Sequence, residues 1–255
     1  MMRWPRSIWL PALWCLSPKL PAYTVEPSMI VLGSGSRDSS TFLRLANKEA
    51  RPAAVEIVVN EFSRDLDGRG IVGKEADERF IVYPAQLILM PGDEASVQVR
   101  WIGGAQSASE QTFALTTREV LIPRRDQEPQ AASEGARISI NVLMNYDVRV
   151  YVTPRGARSK LTVETATAHA TTGQEQDLLE VTLTNHGTAH QSLREMSLVL
   201  TALDAAGNPL RPAVTIPAQD IPGMSATLLA NGQRRLRIPW PAALPVGQVR
   251  AVLSE

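Results

Sequence analysis

The chain has 255 residues, and its 26 basic and 26 acidic side chains cancel to a formal net charge of zero. There is no basic excess of the kind that marks nucleic-acid-binding proteins, so no nucleic acid is predicted as a partner. The length fits one large domain or two of ordinary size. A hydrophobic content of 44% is sufficient for a globular core.

Residues 1–22 have the layout of a secretory signal peptide. Arg3 and Arg6 precede a mostly apolar run at 7–16, and Ala22 provides a small residue for cleavage. The apolar run is too short to span a bilayer, and no later segment is predicted to cross a membrane. The sole cysteine, Cys15, lies inside this segment. The mature chain is therefore predicted to be exported and to contain no disulfide.

The first half after residue 22 reads as short strands separated by turns. The predicted strands are 24–32, 41–46, 53–60, 80–89, 95–102 and 112–121. Pro27 and Pro84 interrupt two of them, because proline cannot donate a hydrogen bond to a β-ladder. The sequence at 65–68 has turn chemistry, and the polar, proline-bearing stretch 123–135 is predicted to be a long mobile loop.

Residues 136–154 carry the most regular pattern in the chain. Apolar or aromatic side chains recur at every second position from Ile138 to Val152, while Leu143 and Tyr151 interrupt the polar set between them. Alternation at period two predicts a long strand with two unlike faces. The strand ends before Pro154. It is either a core strand of a β-sandwich or a strand of which one half closes its own core and the other half is provided to a partner.

After a predicted linker at 154–160, the second half also reads as short strands separated by turns. The predicted strands are 161–168, 177–184, 191–203, 213–216, 233–239 and 248–253. Many short strands with regular turns favour β-sandwiches. The sequence therefore predicts an all-β protein with a first domain at 23–154 and a second β-sandwich domain at 155–255.

No enzymatic centre is predicted. His186 and His190 have i,i+4 spacing, but Gly187 places them in a turn, so they do not share a helix face and no metal site is predicted. Asp65 and Asp67 resemble the start of a calcium loop, yet the later ligands of such a loop are missing. The sequence contains no motif that combines a nucleophilic side chain with a general base. The sequence predicts no catalysis, no cofactor and no metal.

Several blocks in the first half point to a known family. They are 43–47, 80–92, 97–101, 110–113 with 118–120, and 138–154, which are similar to strand B, strand D with its Pro-Gly turn, and strands E, F and G of that family. In their order and spacing the chain resembles the periplasmic chaperones of the chaperone–usher pilus pathway, the PapD-like proteins. The resemblance covers the first domain, and the second only through its size and β character.

This resemblance implies two immunoglobulin-like sandwiches in a periplasmic protein that binds pilus subunits and delivers them to an outer-membrane usher. A subunit lacks its last strand, and the chaperone supplies its own G strand in donor-strand complementation. The resemblance assigns the pocket-filling role to Ile138, Ile140, Val142 and Met144. The alternative is that these four residues are ordinary core of their own domain.

The family also holds the terminal carboxylate of the subunit with two basic residues. The resemblance assigns one of these positions to Arg149, whose alternative interpretation is a solvated or Asp-paired surface arginine. The second position falls near Met29, which is a departure from the family pattern. Thr153 likewise replaces an arginine of an inter-domain network, although Glu110 is retained. The remaining alternative for the whole chain is a two-domain, immunoglobulin-like exported surface or adhesive protein without chaperone activity.

Overall fold

The computed structural model describes residues 23–35, 38–104, 107–121, 142–169, 177–224 and 226–254. Within these ranges the chain is all-β, with eighteen strands and two single-turn 3₁₀ helices at Asp77–Arg79 and Ala218–Asp220. No helix in the described ranges is both long and apolar enough to cross a membrane. The predicted signal peptide at 1–22, the predicted loop at 123–135, and Ile138 and Ile140 lie outside the described residues.

The first ten strands form two packed sheets. They are β1 (Tyr23–Glu26), β2 (Met29–Gly33), β3 (Ser40–Asn47), β4 (Ala53–Arg64), β5 (Gly70–Glu75), β6 (Phe80–Tyr83), β7 (Gln86–Leu89), β8 (Glu94–Trp101), β9 (Gln111–Val120) and β10 (Asn145–Thr153). One sheet has the order β1-β3-β8-β6, and the other has the order β2-β10-β9-β4-β5 with β7 also paired to β4. The β2–β10 pair is parallel, and the other pairs are antiparallel.

The two prolines that interrupt predicted strands mark places where the chain changes sheets. β1 pairs with β3 in the first sheet, and after Pro27 the chain continues as β2 beside β10 in the second. After Pro84 it likewise passes from β6, which pairs with β8, to β7, which pairs with β4. Each predicted strand is thus two short strands, because a proline nitrogen cannot continue the ladder.

The inward-facing apolar side chains of both sheets pack together in one core. Val55, Ile57 and Val59 of β4 and Val148 and Val150 of β10 are buried there. Phe80, Trp101 and Phe113 contact one another edge-to-face or tilted, with ring centroids 5.0–5.5 Å apart. The core side of β10 therefore belongs to the first sandwich, as the period-two pattern predicts.

The remaining strands build a second core. They are β11 (Leu161–His169), β12 (Leu178–Asn185), β13 (Gln191–Ser192), β14 (Ser197–Ala202), β15 (Val214–Pro217), β16 (Thr227–Leu228), β17 (Gln233–Pro239) and β18 (Val249–Ser254). The sheets are β11-β12-β17, β13-β16 and β15-β14-β18. Leu179, Val181, Leu198, Leu200 and Leu236 are among the buried residues between them.

These two cores confirm the predicted all-β architecture of two sandwiches. Several of the predicted strands need correction. The strand predicted at 191–203 is two strands in different sheets, β13 and β14, because a turn separates them, in which the Met196 N–H donates to the Leu193 carbonyl at 3.1 Å. β5 was not predicted, because its segment carries two glycines, is fully exposed and lacks alternation. The strand predicted to start at 136 is regular β-structure only from Asn145 to Thr153 within the described residues. The domain boundary predicted at 154/155 falls between β10 and β11 and stays a prediction.

The turn at 65–68 ties the first sandwich to the second. The Leu66 carbonyl accepts a 2.7 Å hydrogen bond from the Arg235 backbone N–H of β17. Asp67 forms an ion pair with the Arg235 guanidinium at 2.8 Å. The β4–β5 hairpin is therefore a contact between the domains, and the calcium-loop alternative for Asp65 and Asp67 has no support in this geometry.

Glu110 forms a further contact between the sandwiches. Its carboxylate accepts hydrogen bonds from the Thr153 hydroxyl at 2.7 Å and from the His190 backbone N–H at 3.1 Å, and it lies 2.8 Å from His190 Nδ1. Burial opposes ionisation of this carboxyl, but the contacts with His190 and Thr153 outweigh burial and hold the pKa of Glu110 below its ordinary value. Thr153 thus remains in the inter-domain network, and His190 provides the basic partner.

A buried tyrosine fixes the base of β10. The Tyr23 hydroxyl contacts Thr117 Oγ1 at 2.8 Å and the Thr117 carbonyl at 3.0 Å, and it reaches the Met144 carbonyl at 3.4 Å. Its ring meets that of Tyr146 edge-to-face with centroids 5.0 Å apart. Burial raises the pKa of Tyr23 to about 12.

We expect Tyr23→Phe to lower the free energy of unfolding by about 1–3 kcal/mol, because Thr117 loses a buried hydrogen-bond partner. Urea unfolding of the purified protein measures this loss. Tyr83→Phe is the matched control, since the Tyr83 side chain is 73% exposed, and it should change stability by less than about 0.5 kcal/mol.

The stability difference between wild type and Tyr23→Phe should also depend on pH. The folded-state pKa of Tyr23 is raised from 10.0 to about 12, so its contribution is complete below pH 10 and is lost as the pH rises toward 12. The stability difference between wild type and Tyr23→Phe should therefore shrink over this window. A difference that stays constant up to pH 12 would contradict the assigned burial.

Candidate functional site

β10 has a strand partner on both sides along only part of its length. β9 pairs with it from Asn145 to Val152, but β2 pairs with it only from Arg149 onward. Among the described residues, the stretch 145–148 therefore has a partner strand on one side alone. Within the described ranges, the edge of β10 is therefore open immediately before Arg149.

The direction of the free backbone groups follows from the strand geometry. The Arg149 N–H points toward β2, where it donates to the Ser28 carbonyl at 3.2 Å. Because backbone groups alternate sides along a strand, the N–H groups of Asn145 and Asp147 point the same way, toward the open edge. Met144 faces the opposite side, where its carbonyl accepts from the Glu119 N–H at 3.2 Å. The open edge therefore presents alternate backbone groups in the pattern that a β-ladder requires.

The segment that precedes β10 is partly apolar and exposed. Val142 and Leu143 are 41% and 40% exposed, whereas Met144 is partly buried and packs against the first core. The Met144 N–H donates to Glu119 Oε2 at 3.1 Å, and the other oxygen of this buried carboxylate pairs with Arg51 at 2.6 Å. Of the four predicted pocket-filling residues, Val142 is open to a partner, Met144 contacts its own core, and Ile138 and Ile140 fall outside the described residues. The donor role of all four stays a prediction.

Arg149 lies on the face of β10 opposite the core, as the alternation predicts. Its guanidinium carbon is 3.8 Å from the centroid of the Phe62 ring, and 24% of the side chain is exposed. Asp147 approaches it only to 3.6 Å and accepts a shorter 2.7 Å hydrogen bond from the Thr116 hydroxyl. Arg149 Nη1 is buried without a hydrogen-bond partner among the described residues. The arginine is thus stacked on Phe62 and partly buried, and one of its donors has no acceptor among the described residues.

Met29 stands directly beside this arginine. The β2–β10 register pairs Met29 with Arg149, and the methionine side chain is 49% exposed. The position that the family resemblance assigns to a second basic residue is therefore adjacent to Arg149 and carries a thioether. The anchoring role of Arg149 stays a prediction.

The far end of this face is covered by the second sandwich. Tyr151 is buried and stacks on the His190 ring with centroids 3.9 Å apart. Burial raises the pKa of Tyr151 above its ordinary value. His186, the other histidine of the i,i+4 pair, contacts Glu164 at 2.6 Å. The two histidines thus have different carboxylate partners, and no three metal-ligating side chains converge within the described part of the chain.

The sequence did not point to three residues that lie beside Arg149 or between the two sandwiches: Phe62, Arg64 and Arg234. The Arg64 guanidinium carbon lies 5.4 Å from the Phe62 centroid, so Arg64 and Arg149 contact the same ring. Local sequence around these positions shows ordinary strand ends with no motif. Tyr151 did carry a signal, since an aromatic side chain on the polar face of a strand indicates a second contact surface.

No family model and no curated protein matches this sequence. Solved structures do match along nearly the whole chain. The class 5 fimbriae chaperone CfaA is 12% identical, with a TM-score of 0.54 and 92% of each chain covered. A chain in the complex of the SafB chaperone with the Salmonella enterica SafA pilin is 15% identical, with a TM-score of 0.52, and the match covers 87% of this chain and 86% of that one.

A third match comes from the archaic Csu pili of Acinetobacter baumannii. A chain in the CsuC–CsuE chaperone–tip adhesion subunit pre-assembly complex is 15% identical, with a TM-score of 0.51, and the match covers 91% of this chain and 93% of that one. At these identities the likeness concerns the fold. The chain therefore has the two-sandwich fold shared by chaperones of the chaperone–usher fimbrial systems.

Proposed function

We propose that this protein is a periplasmic chaperone that binds pilus subunits through the open edge of β10 and passes them to an outer-membrane usher. The observation that carries the proposal is the half-paired stretch 145–148, which lies between exposed Val142 and half-buried Arg149. The solved complexes of chaperones with a pilin and with a tip adhesion subunit support a subunit as the partner.

The open edge would be completed by a strand of the subunit. A subunit that lacks its last strand exposes an apolar groove and an unpaired edge of its own. Pairing of the two edges satisfies the backbone groups of both, and the side chains at every second position enter the groove. The N–H groups of Asn145 and Asp147 are the described donors that this pairing would use.

The apolar side chains that precede β10 would fill the groove. Burial of a Val or Ile side chain contributes roughly 1.5–3 kcal/mol, so Ile138, Ile140 and Val142 together would supply much of the affinity. Met144 differs, because it already contacts the first core. Its side chain would lie at the boundary between the core of the chaperone and that of the subunit.

Arg149 would fix the register of the paired strands. A guanidinium holds a carboxylate with two parallel hydrogen bonds, and the Phe62 ring beneath it restricts its orientation. Register matters because a slip of one residue turns every groove-filling side chain to the opposite face. With Met29 at the neighbouring position, Arg149 is the basic side chain at this point of the β2–β10 ladder.

Export is the first prediction from this function. We expect the leader to be cleaved close to Ala22, because a basic start is followed by a short apolar run. N-terminal sequencing of the protein purified from the periplasm checks it. A mature protein that still begins with Met1 would contradict a cleaved leader.

We expect Val142→Asp to leave the free protein stable and to abolish subunit binding. Val142 is exposed in the free chain, so its replacement should change stability by less than about 0.5 kcal/mol. In a dry groove the new carboxylate would cost several kcal/mol. Periplasmic co-expression with the neighbouring subunits, followed by pull-down, measures the loss.

The matched control is Val252→Asp, since Val252 is 49% exposed on β18 of the second sandwich. It should retain the subunit. Stoichiometric recovery of the subunit with Val142→Asp would show that Val142 is not a donor residue. Unfolding of the Val142→Asp variant would assign it to the core instead.

We expect Arg149→Ala to lower subunit recovery sharply, while its free energy of unfolding stays within about 1 kcal/mol of wild type. The lost stacking on Phe62 is offset by removal of a buried nitrogen without a partner. Arg149→Lys should restore binding only in part, because the two-pronged geometry is lost.

Thermal melts and pull-downs of both variants make this measurement. Arg100→Ala is the control, since Arg100 is exposed on β8 of the other sheet, and it should bind like wild type. Unchanged recovery with Arg149→Ala would show that the subunit is anchored elsewhere.

A further inference from the structure

Four buried side-chain nitrogens have no hydrogen-bond partner within the described part of the chain, and all four belong to arginines. They are Arg64 Nε, Arg149 Nη1, Arg234 Nε and Arg234 Nη1. A buried donor without a partner costs about 1–3 kcal/mol, and more when it is charged. Arg149 belongs to the proposed subunit site. Arg64 and Arg234 have no role in that proposal.

These two arginines line a cavity of about 200 Å³ between the sandwiches. The first sandwich contributes Ser63, Arg64 and Gly68, and the second contributes residues 227–234. A water molecule takes up about 30 Å³ in the liquid, so the cavity has room for an ion of several heavy atoms.

Each guanidinium is held by a neutral carbonyl. Arg64 Nη1 donates to the Gly68 carbonyl at 2.8 Å, and Arg234 Nη2 donates to the Gly223 carbonyl at 2.9 Å. Burial, and then the nearby charge of Arg64, lower the pKa of Arg234. The pair thus places two positive charges at one cavity.

The carboxylates nearest to this pair already have other partners. Asp65 and Asp67 partly offset the positive charge at Arg234. However, Asp67 forms an ion pair with Arg235 at 2.8 Å, and Asp65 accepts from the Arg69 backbone N–H at 2.7 Å. The unpartnered nitrogens of Arg64 and Arg234 therefore remain without an acidic acceptor among the described residues.

The hairpin of the first sandwich also holds the Arg234 side chain in place. Gly68 has a φ of +79°, and a Cβ at this position would lie 1.3 Å from Arg234 Nη1. A residue with a side chain would therefore have to displace the guanidinium. The approach of the two domains at this point depends on the glycine.

We propose that the cavity between the sandwiches binds a small oxyanion, which Arg64 and Arg234 hold from opposite domains. Planar guanidinium groups match paired oxygens of phosphate, sulfate or carboxylate. Such an anion would supply the acceptors that the unpartnered nitrogens lack. Its source is either a free anion or the carboxylate of a bound peptide. This site does not use the open edge of β10 and does not depend on chaperone activity, although Arg64 contacts the same Phe62 ring as Arg149.

Phosphate titration of the mature protein tests the site directly. At constant ionic strength, which keeps general charge screening the same in both salts, phosphate should bind in calorimetry with about one site and should raise the melting temperature relative to chloride. Arg64→Gln and Arg234→Gln should each weaken phosphate binding about ten-fold or more, because each removes charged hydrogen bonds.

Arg69→Gln is the matched control. It removes one positive charge from the same hairpin at a position that does not line the cavity, and phosphate affinity should stay within about two-fold of wild type. Arg234→Lys keeps the charge and provides a folded variant if Arg234→Gln loosens the domains. It should still weaken binding, because the fork geometry is lost.

Competition distinguishes the two sources of the anion. A short peptide with a free terminal carboxylate that displaces phosphate, while its amidated form does not, would identify a peptide carboxylate. Phosphate binding without competition would identify a free anion. The proposal is overturned if phosphate has no effect beyond chloride, or if wild type, Arg64→Gln and Arg234→Gln bind it equally.

Discussion

Every backbone N–H and C=O group that leaves water needs a hydrogen-bond partner, and this requirement is unequally met along β10. From Arg149 to Thr153 the strand lies between β2 and β9. From Asn145 to Val148 it has β9 alone among the described residues. The half-paired stretch arises because Pro27 moves the chain into this sheet only at Met29. The position of Pro27 thus determines where the edge of β10 is open.

The two faces of β10 serve different parts of the molecule. Val148, Val150 and Val152 close the first core, while Tyr151 on the other face packs on His190 of the second sandwich. Arg149 lies between the open edge and this domain contact, with its guanidinium on Phe62. The contacts that position Arg149 come from its own sandwich, since Phe62 and Asp147 both belong to it.

Much of this fold was predictable from local patterns. Alternation predicts the faces of β10, and the prolines predict the breaks at β1–β2 and β6–β7. β5 was missed because its segment has two glycines and no buried face, so only its pairing with β4 defines it. The Leu66–Arg235 contact joins distant parts of the chain and has no local signature. The same holds for Arg64 and Arg234, whose importance comes from the cavity that the two domains form together.

Amide hydrogen exchange at the open edge tests the central claim most directly. The N–H groups of Asn145 and Asp147 point toward the unpaired side. The N–H groups of Val148 and Val150 point the other way, toward β9, with which both residues pair. On binding of a pilus subunit, exchange at Asn145 and Asp147 should slow by orders of magnitude, while exchange at Val148 and Val150 stays slow in both states. Unchanged, rapid exchange at Asn145 and Asp147 in a saturated complex would contradict binding of the subunit along this edge.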